Sequence, residues 1–364
     1  MATSPTSAGV AEMAEEVVLA VKNLTVEFET EDGVLRAVEQ VSWELLQGET
    51  LGLVGESGSG KSVSVLAVLG LIKQPPGRIV SGEIWYDGSD LLAATHGDLR
   101  AIRGTDIAMI FQDPTTSLNP VVTVGSQISE AMLIHDKGLS KKDARDRAIA
   151  LLASVGVPSP EDRVHQYPHE FSGGMKQRAM IAMAIANKPR VLIADEPTTS
   201  LDVTIQAQFL DVLRAAQRET GASTIFITHD LGVIAEMADR VVVMYGGRVV
   251  ETADVETIFK SPSHPYTLGL MNSVPKLELE VHELAAIPGQ PPDPFNLPPG
   301  CTFQPRCELG QGRSRCTEEV PELRELGSRR WSACHFAEEL EPGFMARPAE
   351  GLEIITDASP GETP

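Results

Sequence analysis

The stretch Gly55-Glu56-Ser57-Gly58-Ser59-Gly60-Lys61-Ser62 decides the fold. It fits G-x-x-x-x-G-K-[ST], a loop whose glycines let backbone N–H groups curl around phosphate oxygens. Lys61 is placed to reach the outer phosphates, and the Ser62 hydroxyl to ligate Mg²⁺. The flanks agree. Thr50 to Val54 is a short apolar run suited to a buried strand, and Val63 to Ile72 reads as a helix whose positive end adds to the cradle.

Working outward, Val18 to Val26 and Ala37 to Leu46 read as strands separated by a turn at Glu31-Asp32-Gly33. Residues 79–111 return to strand texture, ending in Ile107 to Phe111. From Val124 to about Ala186 the pattern is helical, with Lys141 to Val155 and Met175 to Ala186 as the clearest segments. Apolar runs at Val191 to Ala194, Thr224 to Ile227 and Val241 to Met244 then alternate with the helical stretches Ile205 to Arg218 and Leu231 to Ala238. This alternation predicts a parallel α/β core with a helical subdomain inserted in it. No internal repeat is visible, so there is one copy of the core.

Val191-Leu192-Ile193-Ala194-Asp195-Glu196-Pro197 supplies the second chemical element. Two carboxylates ending a buried strand form a costly like-charge pair in a mere core. Beside a phosphate loop, Asp195 is suited to hold Mg²⁺ through water, and Glu196 to orient or deprotonate an attacking water.

The chain has 364 residues, 30 Lys and Arg against 51 Asp and Glu, and a formal net charge of −21. That balance argues against nucleic acid as a partner, because phosphate neutralisation needs a basic face. No apolar run is long enough to span a membrane. Residues 1–16 read as a flexible leader without signal-peptide texture, 261–336 as a proline-rich and cysteine-containing extension, and 337–364, with seven acids and one arginine, as a flexible acidic tail.

Phe171-Ser172-Gly173-Gly174-Met175-Lys176-Gln177-Arg178 resembles the signature motif of ATP-binding cassette (ABC) proteins, with Phe171 and Met175 departing from the usual residues. The other motifs stand in order: Gln112 as the Q-loop glutamine, Ser200-Leu201-Asp202 as the D-loop and His229 as the switch histidine. Phe28 matches the aromatic that stacks on adenine. The resemblance covers about residues 17–260. It implies a RecA-like P-loop NTPase nucleotide-binding domain with antiparallel β and helical (about 115–185) subdomains. It also implies ATP and Mg²⁺ as ligands, Glu196 as general base, His229 steadying the γ-phosphate, and Gln112 linking the metal to the helical subdomain. Ser172 and its glycines form a second anion site at a helix N-terminus. In this family that site serves the nucleotide of a second ABC chain.

Tyr167-Pro168-His169-Glu170, His264-Pro265-Tyr266-Thr267 and Pro299-Gly300-Cys301 extend the resemblance to the ATPase subunits of dipeptide/oligopeptide importers, up to about residue 336. This implies two integral-membrane permeases, a related second ATPase chain and, indirectly, an extracytoplasmic solute-binding protein. The chain would sit peripherally on the cytoplasmic face of the inner membrane. Asp113 to Pro120 would help form the groove for a permease coupling helix. Nickel or another small solute is the alternative cargo. A soluble ABC protein of translation or DNA repair, and a P-loop small-molecule kinase, are the readings from other classes.

The cysteines, Cys301, Cys307, Cys316 and Cys334, are spaced Cys-x5-Cys-x8-Cys-x17-Cys. The close C-x2–4-C pairs of a zinc ribbon are absent. The pattern suits a [4Fe–4S] cluster of structural role, with zinc or free thiols as alternatives. Arg306, Arg313 and Arg315 are placed to offset its charge.

Overall fold

The computed structural model describes residues 16–199, 201–273, 287–327 and 329–340. Nearly all of the expected leader, Ser200 of the D-loop, the middle of the proline-rich connector and the tail beyond residue 340 lie outside the described residues.

The chain opens with an antiparallel hairpin, β1 (Val17–Thr30) and β2 (Gly33–Leu46), in which Thr30 faces Gly33. β3 (Thr50–Val54) runs through the phosphate loop into α1 (Lys61–Val68). β4 (Gly77–Tyr86) and the short β5 (Ser89–Asp90) return to the hairpin sheet. α2 (His96–Ile102) precedes β6 (Ile107–Ile110). A helical block follows: α3 (Pro114–Ser117), α4 (Val124–Leu133), α5 (Lys141–Ser154), α6 (Pro160–Arg163) and α7 (Gly173–Ala184). The chain then alternates through β7 (Val191–Asp195), α8 (Val203–Thr220), β8 (Ser223–Thr228), α9 (Leu231–Met237) and β9 (Arg240–Tyr245). β10 (Arg248–Asp254), α10 (Val255–Lys260) and α11 (Pro265–Asn272) complete this region. The extension adds a 3₁₀ turn at Gln304–Arg306, α12 (Ser314–Glu318), β11 (Arg324–Gly327), β12 (Arg330–Ser332) and a last 3₁₀ turn at Ala337–Glu339.

Two sheets result. The smaller runs β2-β1-β4-β5 and is antiparallel. The larger runs β11-β12-β10-β9-β3-β8-β7-β6. Its segment from β9 to β6 is parallel, while β10, β12 and β11 are antiparallel.

The parallel strands read as unbroken apolar runs because both faces are covered. Their side chains still alternate between two cores. Val191, Ile193, Ile225, Ile227, Val242 and Met244 face one core with the hairpin sheet and α1; Leu192, Ala194, Phe226, Val241, Val243 and Tyr245 face the other, with the helices. The phosphate loop leaves the C-terminal end of β3, and the carboxylates leave the same end of β7. In an open parallel sheet, that is the end where ligands bind.

Three sequence expectations are modified. Residues 96–102, in a stretch with strand texture, form α2, closed by a capping box between Thr95 and Asp98. The extension is also joined to the core sheet: Glu251 pairs with Ser332 and Thr252 with Trp331. Residues 337–340, assigned to the flexible tail, are packed: Ala337 is buried, Glu338 pairs with Arg324 and Glu339 with Arg313.

Candidate functional site

Backbone geometry shapes the phosphate loop. Gly55 has φ +152, and a Cβ there would stand 2.2 Å from the Met244 carbonyl oxygen on β9. Gly60, at φ +97, caps α1 and lies against the Ala37 carbonyl, 2.5 Å from where its Cβ would be. Only glycine fits either position, because both the backbone conformation and a neighbouring main chain exclude a side chain.

Lys61 is buried and folds back on this loop. Its Nζ donates to the Gly55 carbonyl at 2.8 Å and the Glu56 carbonyl at 3.0 Å, and lies 3.5 Å from Ser59 Oγ. Burial pushes its ammonium below the usual lysine range, against the pull of Glu196, Asp195 and Glu56. Ser57 and Gly58 form the outer rim of the loop, where a Cβ at Gly58 would meet open space.

Ser62 Oγ donates to Asp195 Oδ1 at 2.8 Å. Burial raises the Asp195 carboxyl above its ordinary value and neighbouring Glu196 adds to this, while Ser62 and Lys61 oppose it. A hydroxyl and a carboxylate meeting beside a phosphate cradle are a donor set suited to a hard, oxygen-seeking cation such as Mg²⁺.

Glu196 follows with φ +44, which is uncommon for a residue with a side chain, and its N–H is held by the Ile227 carbonyl at 2.9 Å. Its Oε2 is a meeting point. Gln112 Nε2 donates to it at 3.2 Å, Thr199 Oγ1 donates at 3.0 Å, and His229 Nδ1 lies 3.6 Å away. Gln112 comes from the end of β6 and His229 from the end of β8, so three strand ends supply this cluster. Thr199 was not singled out from the sequence as part of it; its place three residues after Glu196 was the available signal.

Other expected site residues stand elsewhere. Phe28, on β1, pairs with Leu35 and packs at 3.0 Å on the Cβ position of Gly77. Two residues beyond Leu35 on β2, the Ala37 carbonyl closes on Gly60. Ser172 is the N-cap of α7, its hydroxyl accepting from Met175 N at 3.3 Å, and Gly173 faces open space. Among the described residues, Ser172 takes no part in the hydrogen bonds around Glu196. An open apolar cleft near Asp113 to Pro120 is lined by Leu71, Met109, Phe111, Ser117, His135 and Met183.

The four cysteines gather within the extension. All four are free thiols, and every pairing among them lies within electrostatic reach. Burial pushes Cys301 up to about 11 and Cys307 and Cys334 up to about 12, the direction expected of thiols enclosed in an apolar setting. Among the described residues no group of three or more His, Cys, Asp or Glu side chains is arranged to hold a metal ion. The described geometry thus gives neither a [4Fe–4S] cluster nor zinc a formed site. Arg306 does not face the thiols as expected. Its guanidinium forks onto Glu56 of the phosphate loop, at 2.8 and 3.2 Å. Arg324, not expected from the sequence, donates to the Cys334 carbonyl at 3.2 Å.

Comparison with known proteins agrees with this geometry. The ABC transporter family matches residues 38–199, and the oligopeptide/dipeptide transporter C-terminal region matches residues 250–316. The dipeptide transport ATP-binding protein DppD of Bacillus subtilis is 52% identical over 292 residues, covering 80% of this chain and 87% of the relative. The oligopeptide transport ATP-binding protein OppD of the same organism is 54% identical over 286 residues, covering 78% and 80%. The DppD protein of Escherichia coli is 48% identical over 318 residues, covering 87% and 96%. Among solved structures, the dimeric ATP-binding cassette MJ0796 bound to ADP and Pi superposes with a TM-score of 0.58 at 26% identity, covering 65% of this chain and 98% of that one. The phosphate loop, the paired carboxylates and the identity along most of the chain lead to one assignment: the chain belongs to the ABC transporter family, among the peptide-transport ATP-binding proteins that carry the oligopeptide/dipeptide transporter C-terminal region.

Proposed function

We propose that this chain is the ATP-hydrolysing, energy-coupling subunit of an ABC importer for di- or oligopeptides. The convergence of Gln112, Thr199 and His229 on one oxygen of Glu196, beside the Ser62–Asp195 pair, carries the reading.

Mg²⁺-ATP, when bound, supplies a γ-phosphoryl group that can pass to water. The residues present fit it. Gly55 to Ser62 offers backbone donors, Lys61 is held at the loop's mouth, and Ser62 with Asp195 would hold the metal. Glu196 takes a proton from the attacking water, and Gln112 and Thr199 orient its carboxylate for that. His229 donates toward the developing charge on the transferred group. Phe28 offers its ring to the base. The work on the transporter comes from closing and opening two such chains, because Ser172, Gly173 and Gly174 complete the partner's site and not their own.

The partners follow from the same reading. The apolar cleft beside Phe111 receives a coupling helix from one of two membrane permeases, the second ATPase chain receives the other, and an extracytoplasmic solute-binding protein delivers the peptide. The chain sits peripherally on the cytoplasmic face of the membrane; among the described residues no helix is long and apolar enough to cross one. Peptides are favoured over nickel by the names of the relatives and by the matched C-terminal region.

The mutual proximity of the four thiols is the one observation that bears on a [4Fe–4S] cluster. Such a cluster requires all four to lose their protons. Iron and acid-labile sulfide near stoichiometry in the purified protein would support it. Zinc without iron, or neither, would remove it.

Gentle detergent purification from the native membrane tests the main reading. Two multi-spanning proteins and a second ABC chain should accompany this one. Recovery from the soluble fraction alone overturns the transport assignment.

A further inference from the structure

We propose that Arg306 is a positioning residue for the phosphate loop, through which the cysteine-bearing extension sets the affinity of the site for ATP. This rests on the ATP-binding reading above and adds to it a residue outside the cassette motifs.

The geometry is specific. Arg306 and Glu56 are 250 positions apart, yet Nη1 lies 2.8 Å from Oε2 and Nη2 lies 3.2 Å from Oε1. This is the forked pairing that only arginine makes with a carboxylate. The remaining donors are also placed: Nε to the Pro288 carbonyl at 2.9 Å, Nη2 to the Ile287 carbonyl at 3.3 Å, and Nη1 to Tyr245 Oη at 3.2 Å. Arg306 is 6% exposed at its side chain and Glu56 26%, so the guanidinium is shielded while the carboxylate keeps some contact with solvent.

Glu56 is held at its main chain as well. Its N–H donates to Tyr266 Oη at 2.8 Å, and Tyr266 packs against Tyr245 and Phe303, with ring centroids 4.5 and 5.5 Å away. Phe303 begins the turn that carries Arg306. The second residue of the phosphate loop is thus gripped at backbone and side chain by groups outside the loop.

The consequence is electrostatic. Glu56 puts a negative charge into a loop meant to receive a polyanion, and the Arg306 guanidinium offsets it. Without Arg306, an unpaired carboxylate faces the incoming phosphates. The arm is also fixed by the thiol-bearing turn: Gln304 N donates to the Cys301 carbonyl at 3.0 Å and Cys307 N to the Gln304 carbonyl at 3.1 Å. A change at those cysteines therefore reaches Glu56 through one turn of chain.

The test is equilibrium binding of ATP with Mg²⁺ to the full-length chain, read by calorimetry beside a melting curve. Arg306→Ala should weaken binding about tenfold, the scale of a lost charge-assisted pair. Arg306→Lys, which keeps the charge and loses the fork, should fall between. The double variant Arg306→Ala/Glu56→Gln should recover most of the loss, because it removes the orphaned charge. Folded Arg306→Ala binding within about twofold of wild type overturns the proposal, as does a folded double variant that recovers nothing. Should Arg306→Ala fail to fold, Arg306→Lys decides, and wild-type affinity for it overturns the proposal. Wild-type protein that binds no ATP defeats the underlying functional reading instead.

Discussion

Gln112 and Glu196 stand 84 positions apart in the chain and 3.2 Å apart in space, the Nε2 of one donating to the Oε2 of the other. Gln112 is also where the chain leaves β6 for the inserted helices. The contact thus joins the start of the helical block to the Glu196 carboxylate.

Glu196→Gln removes the carboxylate proposed as the proton acceptor while keeping its shape. ATP binding should persist and steady-state phosphate release should fall by about 10²- to 10⁴-fold, the usual worth of a general base. Near-normal hydrolysis by this variant would take Glu196 out of that role.

Ser62→Ala deletes the hydroxyl that meets Asp195 at 2.8 Å. A titration of Mg²⁺ against ATPase rate should shift to about tenfold or more higher metal concentration, as loss of a ligand or its partner commonly does. An unchanged Mg²⁺ requirement would place the metal elsewhere.

Gly55→Ala forces a methyl against the Met244 carbonyl, with its built Cβ at 2.2 Å. The tightest contact there is main chain, which cannot swing aside, and the Ser59 hydroxyl stands next at 2.7 Å. Thermal or urea denaturation should show a loss of about 3 kcal/mol or more, together with lost ATP binding. A variant as stable as wild type would mean that the loop relaxes freely.

His264 gives a pH signature. It is buried, its Nδ1 accepts from Tyr266 N at 3.1 Å, and burial lowers its pKa from 6.5 to about 3. Between those values the unfolded chain holds a proton that the folded chain refuses, so stability falls as pH drops below about 6.5, by up to about 1.4 kcal/mol per pH unit. Glu251, which accepts from His264 N at 2.9 Å, works in the opposite direction, because burial raises its carboxyl. His264→Asn keeps a helix-capping acceptor and removes the titration. Its melting temperature should depend less steeply on pH from 6.5 downward, and an unaltered slope would exclude His264 as the source.

The parallel strands were legible in the sequence because each is a short apolar run between turn signals, and the helical block because Lys141 to Ser154 keeps a helical spacing without breakers. β11 and β12 were not. Arg-Glu-Leu-Gly and Arg-Trp-Ser carry no alternation of their own; β12 becomes a strand only against β10, and β11 only against β12. α2 was hidden for a similar reason: its signal is the Thr95–Asp98 cap rather than an apolar face, and none of its residues is buried. At the site, Lys61, Asp195, Glu196, Gln112 and His229 were readable from motifs whose order along the chain fixes their meeting. Arg306 was read as a neighbour of cysteines, because nothing local shows that a turn 250 residues downstream will reach Glu56. Tyr266 was visible only as a family marker, and its contact with the Glu56 amide needs the fold.

The pairing of β12 on β10 has a practical consequence. Ser332 lies opposite Glu251, and Ala333 N donates to the Val250 carbonyl at 2.8 Å, so the last few residues of the extension occupy hydrogen-bonding positions along β10. A cassette trimmed after α11 would present that row bare, an open template on which the strands of other molecules can stack. Recombinant versions shortened to the motif-bearing region should therefore self-associate where the longer chain stays dispersed, and the extension doubles as a shield against aggregation.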